Sequence, residues 1–240
     1  MITKSAFMKK LLSYLFPFRK KIQSQHNGTL ELTYVNGQYL LDSEQTNYSY
    51  GSLQKILETG LNHLHPLTNE PTLLLGLGGG CLVESLRKKW NYTGHITAVE
   101  VDEVILNLAK NTFDVQNYQP IELVLADANG YMENNSKKFG LIVVDIFIDT
   151  LVPPIFYSEK FALLLERALQ RNGHLLINLG FERNVNTQNN ELLAYFNVQE
   201  NYHIKILPNV NGTNTILLVK PKAHEFKTTS GTTMATNSAI

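Results

Sequence analysis

A single cysteine, Cys81, excludes an intramolecular disulfide framework and suits a reducing compartment, so a cytoplasmic setting is expected. Net charge is missing as well: 21 Lys and Arg stand against 21 Asp and Glu, which removes any general electrostatic pull toward nucleic acid. The seven histidines are scattered, only His63 and His65 lying close together, and no metal site is expected. The apolar run within residues 1–22 is too short to span a bilayer and lacks a small-residue cleavage site, which argues against a transmembrane helix and a signal peptide. Two nucleotide fingerprints are absent. Gly76 and Gly78 are followed at the sixth place by Cys81, and the frame from Gly78 and Gly80 ends on Val83, so neither completes G-x-G-x-x-G. No Lys-Ser or Lys-Thr follows the glycines, so G-x-x-x-x-G-K-[ST] is absent too.

What is present is organised around Thr72–Asp102, TLLLGLGGGCLVESLRKKWNYTGHITAVEVD, which reads as strand, glycine turn, helix and second strand. Glycines between a strand and a helix permit positive φ and let a ligand lie against the backbone, and the helix N-terminus adds unpaired N–H groups. Glu100 follows Gly80 by 20 positions, the separation at which a carboxylate can hold ribose hydroxyls. The matching pattern, G-x-G-x-G through Gly76, Gly78 and Gly80, is the glycine signature of S-adenosylmethionine-dependent transferases. A glycine bend that serves only close helix–strand packing is the plainer alternative.

The rest of the chain fits one α/β domain with an appendage. Residues 1–25 form a basic segment in which Lys4, Lys9, Lys10, Arg19, Lys20 and Lys21 surround apolar side chains. Packing on its own domain or on a partner subunit is the leading reading, with weak contact to an anionic membrane surface as the alternative. Residues 26–50 carry a β-hairpin appendage, because TLELTYVNGQYLLD alternates on both sides of Asn36-Gly37. A helix is expected to enter near Ser52 as N-cap, with Leu53, Ile56, Leu57 and Leu61 on its apolar face. Residues 51–222 form the nucleoside-binding Rossmann-like domain: strands at 72–75, 95–99, 121–125, 141–144 and 174–179, the last after a turn at Asn172-Gly173, and helices at 82–89, 103–113 and 158–170. Short apolar strands separated by helices argue a mostly parallel, doubly wound sheet. Asn211-Gly212, flanked by two apolar runs with no helix between, adds a closing antiparallel hairpin. Residues 223–240, rich in Thr and Ser, are expected to be a disordered tail.

Ligands of open α/β sheets bind beyond the carboxyl ends of the strands, where this chain places Gly76–Gly80, Glu100, Asp127 and Asp145. Glu100 is expected to hold the ribose, and Asp127 with the backbone of Ala128 to contact the adenine amino edge. Asp145, in LIVVDIFID, is expected to face the reacting sulfonium and the acceptor, where it can orient an amine or hydroxyl and take its proton. Asp127 and Asp145 can alternatively serve only as loop and helix caps. Cys81 has no histidine near it in sequence and is read as structural. Tyr48 and Tyr50 are candidates for the acceptor pocket, or are simply packing surface.

With these residues in place the chain resembles the spermidine synthase-like family, an N-terminal β appendage followed by a class I methyltransferase fold. The segments match in order over roughly residues 29–220: LLDSEQTNYSYGSL the gate and donor-binding stretch, with Gln45 at the glutamine position, then TLLLGLGGG, AVEVDEVILNLAKNTF, LADANGYM and the catalytic loop LIVVDIFID. The resemblance implies a homodimer and a small-molecule acceptor. Three departures stand out. Gly79 occupies the place of an acid that aminopropyl-transferring members use to hold an amino group; Tyr48–Leu53 replaces an acidic Tyr-His-Glu-like stretch; and Asp145 and Asp149 are four apart rather than three. A polycationic acceptor needs carboxylates to replace its lost hydration. The expectation is therefore a transferase without a metal that moves the methyl group of S-adenosylmethionine to a small acceptor. Two alternatives stay open: aminopropyl transfer from decarboxylated S-adenosylmethionine to putrescine or a similar amine, as in polyamine biosynthesis, and a non-catalytic nucleoside-binding scaffold.

Overall fold

The computed structural model describes residues 4–43, 51–148, 150–181 and 190–222. A short helix α1 (Lys4–Leu12) leads into three antiparallel strands, β1 (Phe18–Gln23), β2 (Thr29–Val35) and β3 (Gln38–Ser43), in the order β1-β2-β3. The turn between β2 and β3 falls on Asn36 and Gly37, both at positive φ (51° and 74°), as the sequence reading expects. That reading starts the appendage at residue 26, whereas its sheet begins at Phe18. Arg19, Lys20 and Lys21 made β1 look like part of a cationic segment, yet exposed lysines are what an edge strand carries to discourage pairing with other chains.

The main sheet has seven strands in the order β6-β5-β4-β7-β8-β10-β9. Strands β4 (Thr72–Leu75), β5 (Ile96–Glu100), β6 (Ile121–Leu125), β7 (Phe139–Val144) and β8 (Leu169–Phe181) are parallel, while β10 (Asn214–Pro221) runs antiparallel to both β8 and β9 (Tyr202–Val210). Helices α2 (Ser52–Leu64), α3 (Cys81–Lys88), α4 (Glu103–Asn111), α5 (Ala128–Asn134), α6 (Glu159–Ala168) and α7 (Glu191–Val198) complete a doubly wound α/β fold. Chain order reverses between β4 and β7, the switch point at which such sheets open a ligand crevice.

Period-two alternation divides the core. Leu141 and Val143 of β7 belong to the cluster that also holds Ile56, Leu57 and Leu61 of α2, while Ile142 and Val144 join Phe161 and Leu165 of α6 on the other face. Burial on both faces explains why these strands read as unbroken apolar runs. Two local expectations fail. Ser52 is the first helical residue rather than the N-cap, because Gly51 makes the entry at φ 99°, a conformation costly for any side chain. Asn172-Gly173 is no turn: β8 begins at Leu169, and the pairing jumps from Phe139↔Leu169 to Leu141↔His174, so the dipeptide sits in a bulge of the ladder. Helix α7 was not anticipated, and α5 only as a helix that Asp127 would cap; ANGYMEN, with Gly130 and two asparagines, has weak intrinsic helix preference.

Candidate active site

Gly76 leaves β4 at φ 92°, and a Cβ there would lie 2.1 Å from the Asp145 carbonyl oxygen, so only glycine lets the turn pass this close to β7. Gly78 and Gly80 also take positive φ (54° and 79°), and a Cβ on Gly80 would meet Val115 Cγ2 at 2.2 Å. The backbone N–H groups of Leu77 and Gly78 donate to Glu100 Oε2 at 3.1 and 3.3 Å. Glu100 Oε1 accepts from Asp102 N at 3.0 Å. Glu100 therefore ties the glycine turn to the end of β5. Its burial pushes the carboxyl pKa above the usual range, against the pull of those three N–H donors.

Asp102, 1% exposed, caps α4 by accepting from Val104 N (2.9 Å) and Ile105 N (3.4 Å). Its other oxygen accepts from Ser24 Oγ and from Asn27 Nδ2 (2.7 Å), which clips the β1–β2 connection onto the turn beyond Glu100. His26 and Asn27 consequently line the same cavity as Gly76, Glu100, Asp127 and Asp145. Its volume is about 690 Å3, in the range of small-molecule sites.

Asp145 follows β7 directly, its N–H donating to Leu75 O at 2.8 Å. Burial raises its carboxyl pKa to about 6, with Glu100 adding a smaller push, while a hydrogen bond from Asn178 Nδ2 at 2.8 Å opposes them. Asn178 is itself 1% exposed, and its Oδ1 accepts from Gly180 N (3.1 Å) and from Asn214 Nδ2 (2.9 Å). That arrangement fixes which end of the amide meets Asp145. The result is an oriented carboxyl with its pKa raised to about 6, a property suited to proton transfer.

Asp127 caps α5 through Gly130 N at 2.7 Å and also lines the cavity, as does Ala128. Both readings offered for Asp127 are thus compatible with its place. Asn129 lines the cavity next to them, and its Oδ1 is buried with no hydrogen-bond partner among the described residues. An unpaired buried acceptor is costly, and an amino group of a bound purine would relieve it, so this acceptor fits a nucleoside. Cys81 is 4% exposed, with burial first and then Asp145 pushing its thiol up to about 12, which leaves it unreactive and supports the structural role. Gln45, Tyr48, Tyr50 and Asp149 lie outside the described residues.

The sequence reading missed Asn178, Asn214, Ser24 and Asn27. Only Asn178 gave a signal, as a lone amide inside the apolar run HLLINLG. The cavity is also lined by apolar side chains, among them Leu53, Ile56, Phe147, Ile155, Phe156 and Phe181.

Comparison with known proteins agrees with this architecture. A probable polyamine aminopropyl transferase of Bifidobacterium longum is 27% identical over 122 residues, 51% of this chain but 27% of that protein's length. A probable spermidine synthase from Corynebacterium glutamicum superposes with a TM-score of 0.70 at 17% identity, covering 90% of this chain and 84% of its own. Human methyltransferase-like protein 13, solved with SAH, superposes with a TM-score of 0.60 at 21% identity, covering 73% of this chain and 85% of its own. The spermine/spermidine synthase domain matches residues 55–222, which span the glycine turn, Glu100, Asp127 and Asp145, and the chain belongs to that family.

Proposed function

We propose that the protein transfers the aminopropyl group of decarboxylated S-adenosylmethionine to an amine. The observation that carries this reading is Asp145, a buried carboxyl held by Asn178 beside the glycine turn and raised to about 6. The similarity to a probable aminopropyl transferase favours it over methyl transfer, the leading sequence expectation.

Glu100 and the backbone of Gly76–Gly80 bind and orient the nucleoside, and Asp127, Ala128 and Asn129 meet the base. An amine is mostly protonated near neutral pH and must lose a proton before it can attack. Asp145 accepts that proton. The nitrogen lone pair then forms a bond to the propyl carbon attached to sulfur, the carbon–sulfur bond breaks, and its electrons neutralise the sulfonium to give methylthioadenosine. Positioning of the two reactants in line supplies most of what the protein contributes to the displacement.

Gly79 and the apolar wall of Leu53, Ile56, Phe147 and Phe181 favour a second reading, methyl transfer to a less charged acceptor, in which the same base serves and S-adenosylhomocysteine leaves. Incubation with each donor and a panel of amines, followed by mass spectrometry, separates the two. Methylthioadenosine formed only with the decarboxylated donor and an amine supports aminopropyl transfer. Turnover of S-adenosylmethionine alone overturns it.

A further inference from the structure

Residues 1–30 hold six of the chain's 21 Lys and Arg and none of its 21 Asp and Glu, the first acid being Glu31. A neutral protein is therefore strongly polarised, with a cationic start and an acidic remainder. The same stretch exposes a dense group of large apolar side chains: Phe7 at 63%, Leu11 at 56%, Leu15 at 71% and Phe16 at 68%. Scattered exposed apolar residues need no explanation, but four large ones within ten positions do.

This segment is attached to the fold. Ser13, 1% exposed, accepts through its carbonyl from Asn36 N and through its hydroxyl from Gly37 N, both at 2.9 Å. The Lys9 ammonium lies 5.3 and 5.6 Å from the ring centroids of Tyr34 and Tyr39. One side of α1 and its following turn is thus held on the β2–β3 turn, and the apolar group is left exposed.

We infer that this face docks on an anionic lipid surface. Phe7, Leu11, Leu15 and Phe16 enter the headgroup boundary, and Lys10, Lys20 and Lys21, all exposed, meet lipid phosphates. Charge selects this occupant. A second copy joined symmetrically through the same face would set the exposed Lys10, Lys20 and Lys21 against their own counterparts, with no carboxylate in residues 1–30 of either copy. An anionic bilayer complements them and repels the acidic remainder, which orients the molecule with this face toward the lipid. No described helix is long and apolar enough to cross a membrane, so the contact is peripheral. The inference is independent of the reaction the cavity performs.

The test is sedimentation of the full chain with vesicles of phosphatidylcholine alone and with vesicles of phosphatidylcholine and phosphatidylglycerol in equal parts. Binding is expected only to the anionic vesicles and is expected to weaken as salt is raised. Lys20→Gln with Lys21→Gln lowers the partition coefficient roughly twenty-fivefold, about fivefold per cation. Leu15→Ser with Phe16→Ser lowers it while leaving the salt dependence in place. Both pairs keep the wild-type melting profile, since these side chains are exposed. Failure to sediment with anionic vesicles overturns the inference, as does equal sedimentation with both kinds. A dimer in the ultracentrifuge that Phe16→Ser dissociates, with no lipid binding, assigns the face to a second copy instead.

Discussion

Replacing Asn178 by Ala is expected to move the titration of Asp145 upward. The amide's orientation is fixed because Gly180 N and Asn214 Nδ2 both donate to its Oδ1, so Nδ2 is the group that meets Asp145 at 2.8 Å. A hydrogen bond to a charged acceptor contributes about 1.5–3 kcal/mol, and one pH unit corresponds to about 1.4 kcal/mol. Loss of this donor therefore moves the midpoint from about 6 upward by roughly one to two pH units. If the ionised carboxylate takes the amine's proton, the acid limb of kcat/KM moves with it. Activity at pH 7 falls roughly two- to tenfold and recovers toward wild type near pH 9. The variant also leaves Gly180 N–H and the Asn214 amide without Asn178, at about 1–3 kcal/mol each, so a thermal melt must accompany the profile. Asn178→Asp, which sets a second carboxyl against the first, is expected to push the acid limb up as well. A uniform loss of activity at every pH, with the midpoint unmoved, would show that Asn178 is merely structural and refute the reasoning.

Other outcomes follow from the same geometry. Asp145 has a folded pKa of about 6 against an ordinary 3.8, so the native state holds this proton more tightly and the ionised carboxylate opposes folding. Its penalty is absent below about pH 4, grows from there to pH 6 and is complete above, amounting to at most about 3 kcal/mol. Asp145→Asn should therefore raise Tm at pH 8 but not at pH 4 while abolishing turnover, and an equal change at both pH values would contradict the linkage. Gly76→Ala places a Cβ 2.1 Å from the Asp145 carbonyl at a positive φ, so loss of donor binding together with destabilisation is expected in calorimetry and melts. Asp102→Ala removes the acceptor of Ser24, Asn27 and the start of α4, at about 2–3 kcal/mol, and hydrogen exchange should quicken across residues 24–28. Unchanged exchange there would mean that the clip does not hold the β1–β2 connection. In the core, Gly60→Ala adds a Cβ 2.5 Å from Leu176 Cδ1, and overpacking of about 1–3 kcal/mol should outweigh the helix-propensity gain of about 1 kcal/mol in denaturation.

The parallel sheet was legible because strands buried on both faces leave apolar runs, and the glycine turn because positive φ selects glycine. The placement of Gly76, Gly78, Glu100, Asp127 and Asp145 on one cavity followed from strand ends alone, since all the parallel strands end on the same side, whereas Gly80 does not line it and packs against Val115. Long-range partners were not legible. Asp102 takes its hydrogen bonds from Ser24 and Asn27 more than 70 residues earlier, and Asp145 takes one from Asn178 33 residues later, and no local pattern encodes such pairs. Strand β1 was hidden by its lysines, and the bulge at Asn172-Gly173 passed for a turn because both need the same permissive residues.

The most direct test of the account is calorimetric titration with S-adenosylmethionine, decarboxylated S-adenosylmethionine and methylthioadenosine, in wild type and in Glu100→Ala. The account predicts that the decarboxylated donor and methylthioadenosine bind, that the carboxylated donor binds more weakly, and that the variant loses all three. Tighter binding of S-adenosylmethionine would contradict aminopropyl transfer in favour of methyl transfer, and no binding of any of them would contradict the nucleoside site itself.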